Sequence, residues 1–121
     1  MTIRARTVAS LLPLRFVVFQ VLLSLADGER HGYAIVQDIA DRSTGFRIQP
    51  GNLYRHLQFM LDEALIEESE RRPVADKDDE RRRYYRITRL GRQVALAEAS
   101  RLEAVAAEAR ARLGARSQGR S

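Results

Sequence analysis

The clearest pattern of hydrophobic and polar positions lies between residues 49 and 66. The apolar residues that share one side of this segment are Leu53, Leu57, Met60 and Leu61. Their spacing is that of a helix with one buried face. Pro50 suits the first helical turn, with Gln49 as the N-cap. The pattern therefore predicts a short helix at residues 50–63 whose opposite face is polar, although Phe59 is expected on that exposed side.

Two further helices are predicted ahead of this segment. Residues 13–26, beginning at Pro13, are apolar almost all round, which is typical of a helix covered on several sides. Residues 33–43 carry a narrower stripe, and Gly45 suits the left-handed conformation that ends many helices. The stripe comprises Tyr33, Ile35, Val36, Ile39 and Ala40. The second and third helices are separated by a short turn, which is the spacing of a helix-turn-helix.

Two strands are predicted downstream, at residues 65–71 and 83–87, with a polar loop at 73–80. A helix pair followed by a hairpin is the layout of a winged helix-turn-helix. The base of this wing is basic, with Arg71, Arg72, Arg81, Arg82 and Arg83, whereas its tip is acidic. The guanidinium group of arginine can bind phosphate through two hydrogen bonds. A mixture of basic and acidic residues is, however, equally typical of a solvated loop with internal ion pairs. Both interpretations stay open for each arginine.

The last predicted helix begins after Thr88, a suitable N-cap, and reaches about Leu113. One apolar line comprises Leu90, Val94 and Ala97, and a second, turned away from it, comprises Leu102, Val105, Ala106, Ala109 and Leu113. Two apolar faces on one helix imply that two different structural elements pack against it. We expect the first face to pack on its own domain and the second to form a dimer interface with another copy of the chain.

These segments define the fold class and the domains. The fold is predicted to be mainly α with a small β-hairpin (α+β), a winged helix-turn-helix plus a C-terminal dimerisation helix. The expected parts are a flexible arm at 1–12, a DNA-binding domain at 13–87, the dimerisation helix at 88–113 and a disordered tail at 114–121. A core this small is marginally stable alone, which also favours a dimer.

Composition narrows the class of function. The chain lacks cysteine, which excludes disulfides, thiolate zinc sites and cysteine nucleophiles. Only two histidines, His31 and His56, are present, with no third metal ligand beside them, and we expect His31 to make a structural hydrogen bond near a helix start. No catalytic triad spacing or glycine-rich phosphate loop is found. The sequence therefore predicts a protein that is not an enzyme and that needs neither metal nor cofactor.

Charge and hydropathy indicate the compartment and the partner. The formal net charge is +5, and all but one of the 21 basic residues are arginine. The most apolar run, residues 11–26, is interrupted by Arg15 and Gln20 and is too short to cross a bilayer, so we expect a cytoplasmic protein with no membrane contact. Double-stranded DNA is the expected partner. Its candidate contacts are Gln49, Asn52, Tyr54, Arg55, His56, Arg71, Arg81, Arg82 and Arg83.

Between about Phe19 and Leu96 the sequence resembles the PadR-like transcriptional regulators, in particular short members with a single C-terminal helix. The similar pieces, in order, are VLLSLADGERHGYAIVQDI, PGNLYRHL, LIEESE and RRRYYRITRLGR. The resemblance implies a homodimeric repressor with the helix around Asn52 to Glu63 in the major groove, the wing on the DNA backbone and the last helix in the dimer interface. The chain departs from the usual family pattern at Gln49, where a hydroxyl cap is more usual, and at Ala64, where a glycine is. It also departs at Phe59 and Leu61, where polar residues are more usual.

Two further interpretations concern partners. Family members often sense small aromatic or lipophilic compounds, in some cases between the first and last helices. Phe16 and Phe19 in the first helix fit either core packing or the lining of such an effector site. The alternative to a DNA-binding function is a winged helix that contacts a protein partner and no duplex, an option favoured by the expected exposure of Phe59 and by the acidic wing tip.

Overall fold

The computed structural model of the chain describes residues 7–42, 45–69 and 83–114, and these form four α-helices and a small antiparallel sheet. In chain order the elements are α1 (Phe16–Leu25), β1 (Arg30–His31), α2 (Gly32–Arg42), α3 (Pro50–Asp62), β2 (Ile66–Ser69), β3 (Tyr84–Ile87) and α4 (Arg89–Ala109). A 3-10 turn, Ala9–Leu11, precedes α1, and a π-helical turn, Arg110–Gly114, continues α4. The predicted fold class, mainly helical with a β-hairpin wing, is confirmed.

Helix α1 is the centre of the core, as its nearly continuous apolar pattern predicted. It contacts α2, α3, α4 and β3. Its fully buried residues are Val18, Val21, Leu22 and Leu25. The helix begins at Phe16 and not at Pro13, because the backbone of Arg15 is extended. Ahead of it, the backbone N–H of Leu14 donates to the carboxylate of Glu98 on α4 at 3.3 Å. A contact across 84 residues therefore attaches the segment ahead of α1 to α4.

Helix α2 packs on α1 through an apolar stripe and a polar cluster. Ile35 and Ile39 are buried as predicted, but Tyr33 is exposed, and its hydroxyl accepts a hydrogen bond from Gln37 at 2.9 Å. Gln20 and Ser24, two of the few polar residues of α1, are buried. Both accept hydrogen bonds from the guanidinium of Arg42 at the end of α2. This pairing satisfies polar groups that would be costly to bury alone.

Asp38 completes this polar cluster between α1 and α2. Its carboxylate accepts from Arg42 Nε and from Ser24 Oγ, both at 2.8 Å, and lies 3.6 Å from Arg30. Burial alone would raise the pKa of Asp38, but the hydrogen bonds from Arg42 and Ser24 and the charges of both arginines lower it. The ionised carboxylate thus helps to fix α2, and with it the helix pair, on the central helix.

The sheet has the order β1-β3-β2, with both pairs antiparallel. The hairpin of β2 and β3 was predicted, whereas β1 was not, because its two residues are too few to show an alternating pattern. His31 in β1 accepts a hydrogen bond from the backbone N–H of Ala34 through Nδ1 at 3.1 Å. The predicted structural hydrogen bond of His31 near a helix start is therefore confirmed.

The two ends of α3 show the local features that its sequence indicates. Gln49 is the N-cap, and its side chain makes no capping hydrogen bond. At the other end Ala64 has a left-handed backbone, with φ of +62°. The N–H of Ala64 donates to the carbonyl of Leu61 at 3.1 Å, and the N–H of Leu65 donates to that of Met60 at 2.9 Å. This is a Schellman motif with alanine where glycine is usual.

Helix α4 begins at the predicted cap. The hydroxyl of Thr88 accepts from the backbone N–H of Gly91 at 3.0 Å. Gly91 passes so close to the chain before β2 that a Cβ there would overlap the carbonyl oxygen of Leu65. The α-helix ends at Ala109, four residues earlier than Leu113, where the π-helical turn takes over. Val94 is buried against the domain, as expected of the first apolar face.

Candidate nucleic-acid interface

The outward face of α3 presents Asn52 and Arg55, as predicted. Both residues are exposed, and Arg55 Nη2 donates to Asn52 Oδ1 at 3.1 Å. Because residues three apart on a helix are neighbours, this hydrogen bond aligns a guanidinium fork beside an amide. Gln49 is exposed at the N-cap of the same helix. These side chains offer donors and acceptors of the kinds that bind purine edges in the major groove.

His56 lies on the flank of α3 and is half-buried, so it is less accessible than Asn52 and Arg55. Burial, and then the positive charges of Arg15 and Arg55, lower its pKa below the ordinary value. In the free protein the imidazole is therefore mainly neutral at pH 7, with one donor and one acceptor. It can form hydrogen bonds with a base edge or a phosphate but adds no net charge.

Phe59 differs from the prediction, because it is half-buried and packs against the core. The segment ahead of α1 covers its ring, with the Arg15 guanidinium carbon 5.4 Å from the ring centroid. This distance is within the range of a cation–π contact. Phe59 is therefore not the exposed aromatic residue that was expected, and the exposed cation of Arg15 lies over its ring.

Tyr54 lies on the opposite flank of α3 and is exposed. Its hydroxyl is so near the start of α2 that a Cβ at Gly32 would lie 3.0 Å from it. A residue larger than glycine at position 32 would force one of the two groups to move. The phenol therefore lies between the start of α2 and solvent, and its predicted contact with DNA stays a prediction.

Of the predicted wing arginines, the structure describes only Arg83, whereas Arg71, Arg81 and Arg82 lie outside the described residues. Arg83 is strongly exposed and pairs with Glu68 at 3.4 Å. An exposed pair of this kind contributes little to stability. Arg83 can therefore exchange its carboxylate partner for a phosphate at small cost.

Several exposed arginines near α3 have no carboxylate partner among the described residues. Arg15, Arg47 and Arg55 are exposed, and none of them forms an ion pair within the described residues. Arg86, by contrast, pairs with Glu67 at 2.8 Å. The uncompensated positive charge beside α3 is what a polyanion needs for binding.

The two candidate effector residues lie at the outer end of α1. Phe16 is 53% exposed, and its ring meets that of Phe46 edge-on at 4.7 Å, so it is not the core residue that one interpretation required. Phe19 is half-buried. The effector role of Phe16 and Phe19 stays a prediction.

The second apolar face of α4 is uncovered by the described part of its own chain. Leu102 is 38%, Val105 50% and Leu113 69% exposed. Ala109 is exposed as well, and Ala106 is half-buried. This is the arrangement expected of a face that another subunit covers, and the dimer itself stays a prediction.

Sequence reasoning missed Glu98, the most buried charged residue of α4. It is 3% exposed and accepts from Arg101 Nε and Nη2, both at 2.8 Å. The hydrogen bonds from Arg101 lower its pKa, burial opposes them, and the N–H of Leu14 adds to the lowering. The sequence shows only that Glu98 and Arg101 are three residues apart. This spacing is common to many solvent-exposed ion pairs on helices, so it does not indicate a buried one.

Other classes of site receive no support from the described residues. Residues 7–42, 45–69 and 83–114 contain no group of three His, Asp or Glu side chains that could hold a metal ion. In the same ranges, no helix combines the length and apolarity needed to cross a membrane.

Comparison with known proteins identifies a family. Residues 21–97 match the model described as "Transcriptional regulator PadR-like family". A PadR family transcription regulator from hypervirulent Clostridium difficile superposes with a TM-score of 0.71 at 20% identity, covering 82% of this chain and 99% of that one. A PadR-like regulator from Bacillus cereus gives 0.66 at 23% identity, covering 80% and 90%.

Another similar structure is described as Bacillus subtilis PadR in complex with operator DNA. It has a TM-score of 0.59 and 22% identity, and the match covers 70% of this chain and 46% of that one. At these identities the structural likeness shows the fold alone. No curated protein sequence matches the chain.

Proposed function

The chain belongs to the PadR-like family of transcriptional regulators, and from that premise we propose that it is a cytoplasmic, sequence-specific double-stranded DNA-binding protein. One observation carries the proposal: within a winged helix-turn-helix, the outward face of α3 presents Asn52 and an Arg55 without an acidic partner in the described residues. The same fold occurs in a structure described as a complex with operator DNA.

In the proposed complex, α3 lies in the major groove. Arg55 donates two hydrogen bonds to a guanine edge, and Asn52 binds an adjacent base, after their mutual hydrogen bond opens. Gln49 and neutral His56 lie beside them. Tyr54 and the wing arginines Arg71, Arg81, Arg82 and Arg83 bind phosphate and set the register of the protein on the duplex.

The proposed regulator is a homodimer. Its second apolar face on α4, defined above by Leu102, Val105, Ala106, Ala109 and Leu113, would pack against another copy of the chain. Two α3 helices about 34–36 Å apart would then enter successive major grooves of a palindromic or near-palindromic site.

Regulation is proposed to be repression relieved by a small aromatic or lipophilic effector. The support is the exposed Phe16, with Phe19 one helical turn away. A ligand that binds there changes DNA affinity only if it prefers one separation of the two recognition helices. A thermal-shift screen with aromatic compounds, repeated on Phe16→Ala, tests this part, and a screen without any stabilising compound would contradict it.

Selection of bound duplexes from a random pool tests DNA recognition. Arg55→Ala is expected to lower affinity for the selected site about 5- to 150-fold, because the variant cannot form the bidentate hydrogen bonds to the base, and to change the preference among variant sites. Arg112→Ala, which removes an equal charge from the far end of the chain, is the control. Unchanged affinity and preference for Arg55→Ala would show that this face does not recognise bases.

Sedimentation equilibrium tests the dimer. Val105→Glu inserts a charge into the proposed interface and is expected to give monomers at micromolar concentration. Ala104→Glu adds the same charge on the other side of α4, where it should leave the assembly unchanged. A wild-type monomer, or an equal effect of both substitutions, would contradict the proposed interface.

The alternative function, a winged helix that binds a protein and no duplex, has lost one of its two supporting observations. Phe59 is covered by Arg15 and is not an exposed anchor. The acidic wing tip lies outside the described residues. Titration with duplex at two salt concentrations separates the functions, because binding to phosphates weakens steeply with salt.

A further inference from the structure

Arg15 precedes the helix-turn-helix by many residues in sequence, yet its side chain lies against α3. It is the N-cap of α1 and is exposed. Its guanidinium carbon is 5.4 Å from the centroid of Phe59, which holds the cation on the flank of the recognition helix. Among the described residues Arg15 has no carboxylate partner, so its charge is available to a ligand.

The position of Arg15 relative to Arg55 follows from the helix. Phe59 comes four residues after Arg55, so the two lie one turn apart on the same side of α3. The pKa of His56, on that flank, is lowered by burial and also by the charges of both arginines, which agrees with two nearby cations. Two cations beside the same helix repel each other, and a bound anion offsets this repulsion.

A recognition helix leaves little space in the groove that it enters. Its diameter with side chains is about 10–12 Å, and the major groove is about 12 Å wide. The outermost side chains therefore face base edges, whereas the flanks face the phosphates of the groove walls. Arg55 is on the outward face, and Arg15 stands over the flank.

We propose that Arg15 is an additional DNA contact, which binds a backbone phosphate at the wall of the major groove while Arg55 contacts the bases within it. This inference rests on the proposed function and extends it to a residue outside the helix-turn-helix and the wing. The phosphate would neutralise charge that is unpaired in the free protein. The contact carries no sequence information, because every nucleotide has the same phosphate.

The chain around Arg15 is held firmly enough for such a contact. The N–H of Leu14 donates to the buried carboxylate of Glu98, which Arg101 fixes through two hydrogen bonds. The backbone that leads into α1 is thus attached to α4. This attachment lowers the backbone part of the conformational entropy that is lost when the guanidinium binds an anion.

The test measures duplex affinity of the full-length protein against salt, with the selected site and with random duplex as probes. Arg15→Gln is expected to weaken both by a similar factor and to make the slope of log K against log salt less steep by about one unit for each phosphate that the variant no longer neutralises. Arg15→Lys keeps the charge and should retain most of the slope. Arg110→Gln, which removes an exposed arginine at the end of α4, is the matched control and should match the wild type.

Each other outcome overturns the inference in a recognisable way. A wild-type salt slope in Arg15→Gln shows that Arg15 does not contact phosphate. Weaker binding with an unchanged slope and a lower melting temperature assigns Arg15 to packing on Phe59, and altered site preference assigns it to base contact. If the wild-type protein binds no duplex, the proposed function fails and this inference with it, whereas all preceding outcomes leave the proposed function intact.

Discussion

Ala64 offers a direct test of how the recognition helix is terminated. It is the one described residue other than glycine with a positive φ, +62°, and it follows α3 at the position where a Schellman motif places its left-handed residue. Replacing it with glycine removes the Cβ that disfavours this conformation. The hydrogen bonds from Ala64 and Leu65 to the last turn of α3 involve only backbone atoms and remain available to the variant.

The expected gain is the difference between two terms. A left-handed conformation costs an L-residue about 1–2 kcal/mol, and glycine avoids that cost. Glycine also gives the unfolded chain more freedom, which costs about 0.5–1 kcal/mol. Taking the middle of each range, Ala64→Gly should therefore stabilise the fold by about 0.7 kcal/mol, a rise in melting temperature of about 2–5 °C for a chain of this size.

Thermal and urea unfolding at one fixed protein concentration measure this gain, since association would otherwise shift both midpoints. The control is Ala104→Gly, the same chemical change at an exposed position inside α4. There the backbone is helical, and glycine should cost about 1 kcal/mol. The two variants are thus expected to move the midpoint in opposite directions.

A lower midpoint for Ala64→Gly, with Ala104→Gly behaving as expected, would refute the argument. It would mean that the left-handed backbone after α3 is not strained by the alanine side chain. Equal losses in both variants would lead to the same conclusion, because unfolded-state freedom would then explain both.

Three further predictions concern α4. Gly91→Ala should lower the urea midpoint by the equivalent of about 2 kcal/mol or more, because the added Cβ meets the Leu65 carbonyl; a higher midpoint would contradict it. Thr88→Ala should cost about 1 kcal/mol by thermal unfolding through loss of the N-cap, and Thr88→Ser should restore most of it. The pKa of Glu98 is lowered in the fold, so its stabilisation is complete above the ordinary glutamate pKa and is lost as pH falls through the lowered value. Melting temperatures of wild type and Glu98→Gln should therefore converge with falling pH, and a constant difference would exclude this linkage to Arg101.

The features that the sequence predicts correctly are local ones. Apolar residues at helical spacing identify α3 and its buried side, because the period of a helix follows from bonds between residues four apart. Thr88 marks the start of α4, since a cap satisfies N–H groups within the next turn. The positive φ at Gly45 also agrees with the residue type. The exposed position of Asn52 and Arg55 follows from the same periodicity.

The features that the sequence does not predict depend on contacts between residues that are far apart in the chain. The strand β1 exists only because β3 pairs with it, and the segment ahead of α1 is attached to α4 because the buried Glu98 accepts a hydrogen bond from the N–H of Leu14. The coverage of Phe59 by Arg15 has the same origin. Each of these contacts joins residues whose separation no periodic pattern records.

The amino-acid sequence by itself determined the helix pair, the hairpin and the polar face of the recognition helix, because turns, caps and amphipathic periods arise from interactions within a few residues. The tertiary structure alone decided which polar and charged groups are buried and which cations remain unpaired. Burial and charge compensation depend on what lies opposite a side chain in space. For Arg15, Gln20 and Glu98 that neighbour comes from another part of the chain.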